Sequence, residues 1–366
     1  MRQNIPTVKL KTCAVAVAAL MTACGGQGSQ APRSPSPETT PSASPSAAAS
    51  PVAAGPFAVL VTPAYAQSYT VSLVAVDGKV IASAQAKGFG GALTCGGIAS
   101  AVLPPPISTS DSRVYYMDAQ GVVSFLTPQG ETGRAATLPT GGARRSMFAV
   151  SPDDTRIAVV VSDFTATGAS TRLYVDDLAS AAHHLVYSQT GSSILWPTGW
   201  HGGSLVLAKV PACTQGGGPF CCGPQEFHLV DPATAIRRFT VGSSSCVLAG
   251  PPSKAGVVCE VRNTFAQANV VDWTAVTRHS FPIQGPTPAL ISPDGRLVAL
   301  VPAADTAFDG TSRTFAGLQA CGWIDDGHVF TGGDAQHQPR IGDISTGAII
   351  PISAQGDCAG RVPGGL

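Results

Sequence analysis

The chain has 366 residues, with 22 basic and 22 acidic side chains and only 12% charged residues, so its formal net charge is zero. No Lys/Arg cluster stands out, and the electrostatic footprint of a nucleic-acid binder is therefore missing. With 41 Gly, 30 Pro and four glutamates, the composition leaves no room for long Glu/Lys/Leu helices and favours an all-β protein.

The first element in chain order is a basic, apolar leader. Arg2, Lys9 and Lys11 are the charges before Cys24, and the apolar run from Cys13 to Ala23 is eleven residues. That length suits a signal-peptide core and falls short of the ~20 residues of a spanning helix. Leu20-Met21-Thr22-Ala23-Cys24 puts small residues at a cut site just before a cysteine. The segment resembles a bacterial lipoprotein signal, departing from it in having Met21 where Leu is common. The resemblance implies cleavage after residue 23 and lipidation of Cys24, which anchors the mature chain at the extracytoplasmic face of the cell membrane. One acyl chain binds marginally and two or more hold stably. Plain secretion after a cut at Gly25 is the alternative.

Residues 24–56 follow as a linker. Pro32, Pro35, Pro37, Pro41, Pro45, Pro51 and Pro56 lie among Ser, Thr and Ala, with almost nothing large and apolar. Such a segment cannot offset its ordering entropy and is expected to be disordered. Residues 57–366 make up the folded domain.

That domain is written in recurring strand pairs. One unit is an apolar strand, a Pro/Asp/Gly turn and a second apolar strand. It appears as Met147–Val150, Ser151-Pro152-Asp153-Asp154 and Ile157–Val160, and again as Ala289–Ile291, Ser292-Pro293-Asp294-Gly295 and Leu297–Leu300. Pro sets φ, Asp bonds its own backbone and Gly accepts a left-handed conformation. A partner hairpin turns at Asp176-Asp177, Asp231-Pro232, Asp272 and Asp343. The spacings from Asp177 through Asp231 and Asp272 to Asp343 are 54, 41 and 71 residues, the last leaving room for a short copy near Asp309–Phe315. Four short strands at a period of roughly 40–50 residues describe a β-propeller blade. First hairpins near residues 57, 98, 147, 197, 247, 288 and 321 predict seven four-stranded antiparallel blades, with six or eight as alternatives. The two Ser-Pro-Asp turns, each followed closely by Arg and alternating aliphatics, resemble the WD-like repeats of TolB-type propellers. That resemblance implies the fold and names no activity.

Cysteine usage suits an oxidising compartment. Without Cys13 and Cys24, eight cysteines remain, enough for four disulfides. Cys246 and Cys259 bracket a hairpin that brings them opposite. Cys213 closes the Gly216-Gly217-Gly218 loop with Cys221 or Cys222. Cys95, Cys321 and Cys358 find no evident partner. No Cys-x-x-Cys pair occurs and no His stands at ligand spacing from these thiols, so no metal or other cofactor is expected.

Catalytic motifs are missing: the chain has no G-x-S-x-G elbow, H-E-x-x-H helix or P-loop. The acidic pairs Asp153-Asp154, Asp176-Asp177 and Asp325-Asp326 are explained by turn chemistry, and Trp196, Trp200, Trp273 and Trp323 by packing between blades. Asp305 and Asp309-Gly310 form an acidic loop with calcium binding as a minor alternative. The residues favour a monomeric binding or scaffold module for an envelope protein, peptide or glycan. A propeller hydrolase of lactonase-like or glycan-directed type, working at the central channel, is the alternative.

Overall fold

The computed structural model describes residues 55–62, 67–89, 93–95, 99–101, 103–179, 184–212 and 223–366. The leader, Cys24, the linker up to residue 54, and Cys213, Cys221 and Cys222 lie outside the described residues. Every regular element among the described residues is a β-strand.

Seven four-stranded antiparallel sheets form the blades of a propeller. In blades 2 to 7 the innermost strands are Ile107–Thr109, Arg144–Val150, Ser193–His201, Cys246–Leu248, Ala289–Ile291 and Gly322–Asp325, in that order. Three further strands run outward from each in chain order.

Blade 1 is built differently. Phe57–Val61, Ser68–Ala75 and Val80–Lys87 are its second, third and outer strands, and Asp357–Val362 returns from the end of the domain as the innermost. Phe57 pairs with Val362 and Val61 with Asp357. The expected first hairpin near 57 is therefore corrected to a second strand. The copy expected near 98 is corrected too. Leu93–Cys95 and Ala99–Ala101 form a separate two-stranded sheet, and blade 2 starts at Ile107. The two shifts have different causes: closing the ring makes blade 1 share strands from both ends of the domain, whereas the copy near 98 is an additional two-stranded hairpin between blades 1 and 2.

Seven apolar clusters cement the ring, each mainly between neighbouring blades. Between blades 1 and 2, Val59, Val71 and Leu73 meet Val114 and Leu126. Between blades 7 and 1, Ile324, Phe330 and Ile341 meet Ala58, Leu60 and Val74. Alternation makes this possible, because successive side chains of one strand serve opposite neighbours. Each fully buried Leu, Ile or Phe contributes about 1.5–3 kcal/mol relative to exposure. Two tryptophans repeat one polar device. The Trp200 indole N–H donates to the Ala149 carbonyl of the preceding blade at 3.1 Å, and Trp323 donates to Leu290 at 3.1 Å.

The turns close as their chemistry dictates. Ser151 Oγ donates to Asp153 at 2.6 Å and accepts from the Arg156 N–H at 2.9 Å; Ser292 repeats this with Asp294 at 2.7 Å and Leu297 at 3.0 Å. At the fourth turn residue, Asp154 has φ 60° where the second copy has Gly295 at 78°. In the outer hairpins, Asp231, Asp272 and Asp343 each accept backbone N–H groups two or more residues ahead. Burial opposes the charge of Asp272, but the Val276 and Thr274 N–H groups, the Thr274 hydroxyl and Arg278 outweigh it and hold its carboxyl at about 2.

Candidate binding site in the central channel

The innermost strands fix the site. All seven run in one sense around the ring and end at what we term the hairpin face, where each of blades 2 to 7 turns into its second strand. Their inner edges have no neighbouring strand and enclose a channel of about 590 Å³. Toward the opposite face this opens into a recess of about 370 Å³, and a side pocket of about 470 Å³ reaches between blades 4 and 5.

Trp196 and Pro104 border all three cavities. Trp196 sits in the middle of the blade 4 inner strand, and Trp200 is near its end. A bulge between Pro197 and Gly199 interrupts the ladder there. Proline lacks an N–H and suits a strand edge that pairs with nothing. Pro104, Pro105 and Pro106 border the recess; without N–H groups they can offer a ladder only acceptors, as Pro106 does to the Met117 N–H at 3.3 Å. Met147, Phe148, Phe227 and Leu248 complete an apolar wall.

Charged residues are few along these three cavities and gather at the hairpin face, where Asp111, Asp153, Arg156 and Lys254 line a further pocket of about 350 Å³. Lys254, Arg361 and Asp357 are those lining the three cavities among the described residues. Asp357 begins the closing strand and Arg361 lies four residues on, which is about 13 Å of extended chain. Burial pushes the Arg361 guanidinium down, against the pull of Asp326, Asp325 and Asp111. It donates to the Ile324 carbonyl at 3.4 Å.

The residues singled out from sequence are distributed as follows. Cys246 and Cys259 are bridged, with Cα atoms 5.1 Å apart. They are diagonal rather than directly opposite, since Cys246 pairs with Val261 and Cys259 with Leu248. Cys321 and Cys358 form a second bridge, Cα–Cα 5.9 Å, tying the residue just before the inner strand of blade 7 to the inner strand of blade 1 beside the channel. Their separation of 37 residues left no local signal for it.

Turn chemistry accounts for only part of the acidic pairs: Asp154 accepts from the Ser112 and Tyr115 hydroxyls of blade 2 at 2.6 and 2.9 Å, and Asp326 accepts the Asp294 N–H of blade 6 at 2.8 Å. Asp176 accepts the His184 N–H at 2.7 Å, and Asp325 accepts the Gly327 N–H at 2.8 Å. Asp305 accepts the Gly317 N–H at 2.8 Å, while Asp309 meets His279 Nε2 at 2.6 Å. Among the described residues no group of three or more His, Cys, Asp or Glu is placed to hold a metal ion.

Fold and channel together define a seven-bladed β-propeller, a class that commonly serves as a binding or scaffold module. No family model and no curated protein matches the chain. Among solved structures it is similar to apo AztD from Citrobacter koseri, at 13% identity over 85% of this chain and 98% of that one, TM-score 0.47. It is also similar to a chain of a mitotic checkpoint complex (13% identity, 70% and 76% covered, TM-score 0.44). A third likeness is to the Dos1 propeller (12% identity, 82% and 85% covered, TM-score 0.42). The blade count rests on this chain's own strand pairing.

Proposed function

We propose that this chain is a lipid-anchored, extracytoplasmic propeller whose central channel binds a protein, peptide or glycan of the cell envelope. One observation carries the binding reading: a continuous apolar wall centred on Trp196 and Pro104, with its charged residues at opposite mouths. Apolar concavity with a few polar groups is what a recognition site requires. An acid–base mechanism instead calls for titratable groups within hydrogen-bond reach of one substrate atom, and the ~13 Å of strand between Asp357 and Arg361 works against that. The leader ending at Cys24 supports the membrane anchor, and the TolB-type likeness of the two Ser-Pro-Asp turns supports an envelope setting.

Two measurements test this. Cys24→Ser is expected to move the protein from the membrane fraction to the soluble fraction; an unchanged distribution would refute the anchor. A photo-cross-linking amino acid at Thr198 in the channel is expected to capture a discrete cellular adduct. The same probe at Ile236, 66% exposed on an outer turn, should not. Equal adducts at both positions would remove the channel from consideration.

A further inference from the structure

The channel's two mouths are unequal. Beyond the closing strand, Pro363–Leu366 turns across the hairpin face instead of leaving it. The Gly364 N–H donates to the Ser110 carbonyl of blade 2 at 2.7 Å, and the Leu366 N–H donates to the Trp200 carbonyl of blade 4 at 3.0 Å. Between them Gly365 passes Pro152 of blade 3, where an added Cβ would stand 3.2 Å from the proline ring. These residues therefore span from blade 1 to blade 4, and all of Gly364, Gly365 and Leu366 border the channel cavity.

The strap is seated by its sequence as well as by its backbone. Gly364 lies so close to Thr109 that an added Cβ would collide with that side chain. Gly365 has φ +85°, a conformation that favours glycine. The Leu366 side chain rests over Gly199, where any Cβ would come within 3.0 Å of it, and packs beside the apolar cluster that contains Val206 and Phe227. Thr109 and Pro152 closely fitted to the two glycines, an aliphatic seat over Gly199 and two backbone carbonyl acceptors together make a receptor for a short peptide.

We infer that the hairpin-face mouth is a peptide-binding site, held in this structure by the chain's own Pro363–Leu366. Its ligand class is a Gly-Gly segment followed by an aliphatic residue, with a left-handed second glycine, and the strap must leave before such a segment binds. This rests on reading the channel as a recognition site and says how that site is regulated. Recognition uses main-chain bonds for affinity and a side-chain seat for selectivity.

Thiol labelling of a Thr109→Cys variant, corrected for labelling of the parent chain, reads occupancy because Gly364 packs against the half-buried residue 109. A chain ending at Val362 retains the whole closing strand and is expected to label faster than the full chain, since losing residues 363–366 uncovers the side of residue 109 on which Gly364 packs. Leu366→Asp, which keeps every backbone bond partner, should show the same acceleration. Acetyl-Pro-Gly-Gly-Leu added to the shortened chain should slow labelling saturably. The same peptide with Val for its first glycine should not. Equal labelling of full and shortened chains would overturn the strap. Failure of the Gly-Gly peptide to protect, or equal protection by the Val peptide, would overturn the ligand class. Protection by an oligosaccharide such as maltoheptaose in place of the peptide would assign the mouth to a glycan and refute the inference. A persisting Thr198 adduct alongside any of these failures would leave the channel a binding site entered from the other mouth.

Discussion

Removing the Cys321–Cys358 bridge should loosen the seam of the ring before it loosens any blade. The closing strand holds the domain together through its pairing with Phe57–Val61, and the bridge ties its second residue to the last blade. A loop of 37 residues gives a chain-entropy stabilisation of about 4 kcal/mol, against about 3 kcal/mol for the 13 residues between Cys246 and Cys259. Four kcal/mol is a large share of a typical 5–15 kcal/mol total. The two bridges differ more in place than in size. Cys246–Cys259 lies within one hairpin of blade 5, whereas Cys321–Cys358 crosses from blade 7 to blade 1. Replacing both Cys321 and Cys358 by Ala should therefore lower the urea stability of residues 55–366 by about 4 kcal/mol. It should also speed amide exchange selectively in 57–61 and 357–362. The matching Cys246/Cys259 double variant should leave exchange at that seam unchanged. The reasoning fails if seam exchange is the same in both variants, or if the cross-blade pair costs less than about 1 kcal/mol against the model's larger figure.

Three further outcomes follow from other contacts. Tyr69→Phe removes a buried hydroxyl that donates to the Met117 carbonyl at 2.6 Å and joins blades 1 and 2; leaving that carbonyl unpaired should cost about 1–3 kcal/mol in urea unfolding. Gly78→Ala should cost more than about 1 kcal/mol by the same assay, because φ is +81° and the new Cβ would collide with the Pro351 carbonyl. Asp272→Asn should destabilise in a pH-dependent way. The folded carboxyl sits at about 2, below its ordinary 3.8, so its contribution is present above about pH 4 and is lost as pH falls through about 2. Solvent and the exposed Arg278 screen it to roughly 1 kcal/mol at neutral pH. Paired unfolding curves of parent and variant should converge between about pH 4 and pH 2; a constant difference would contradict the assignment.

The strand pairs and their turns were legible in the sequence because their determinants are local. Ser151 and Asp153 close their turn within six residues, and Ser292 and Asp294 do the same without reference to the rest of the chain. The blade count of seven followed from repeating that signal. The Cys246–Cys259 bridge was within reach for the same reason, as one hairpin carries both thiols. The channel was less legible. Trp196 looked like a packing residue, and only the ring places it beside Pro104, some ninety residues earlier in the chain. The proline run at 104–106 was the available signal, since it cannot donate to a ladder yet directly precedes a strand.

What the residues determined alone was the repeating unit: four short strands, apolar on both faces, joined by turns that Pro, Asp and Gly close through neighbouring backbone groups. The assembled ring decided the rest. It gave blade 1 its inner strand from the far end of the domain, joined Cys321 to Cys358, and laid Pro363–Leu366 over one mouth of the channel. Those pairings join segments far apart in the chain, and no turn chemistry encodes them. They become favourable only when seven apolar-faced sheets have packed into a closed circle that brings its first and last strands to bonding distance.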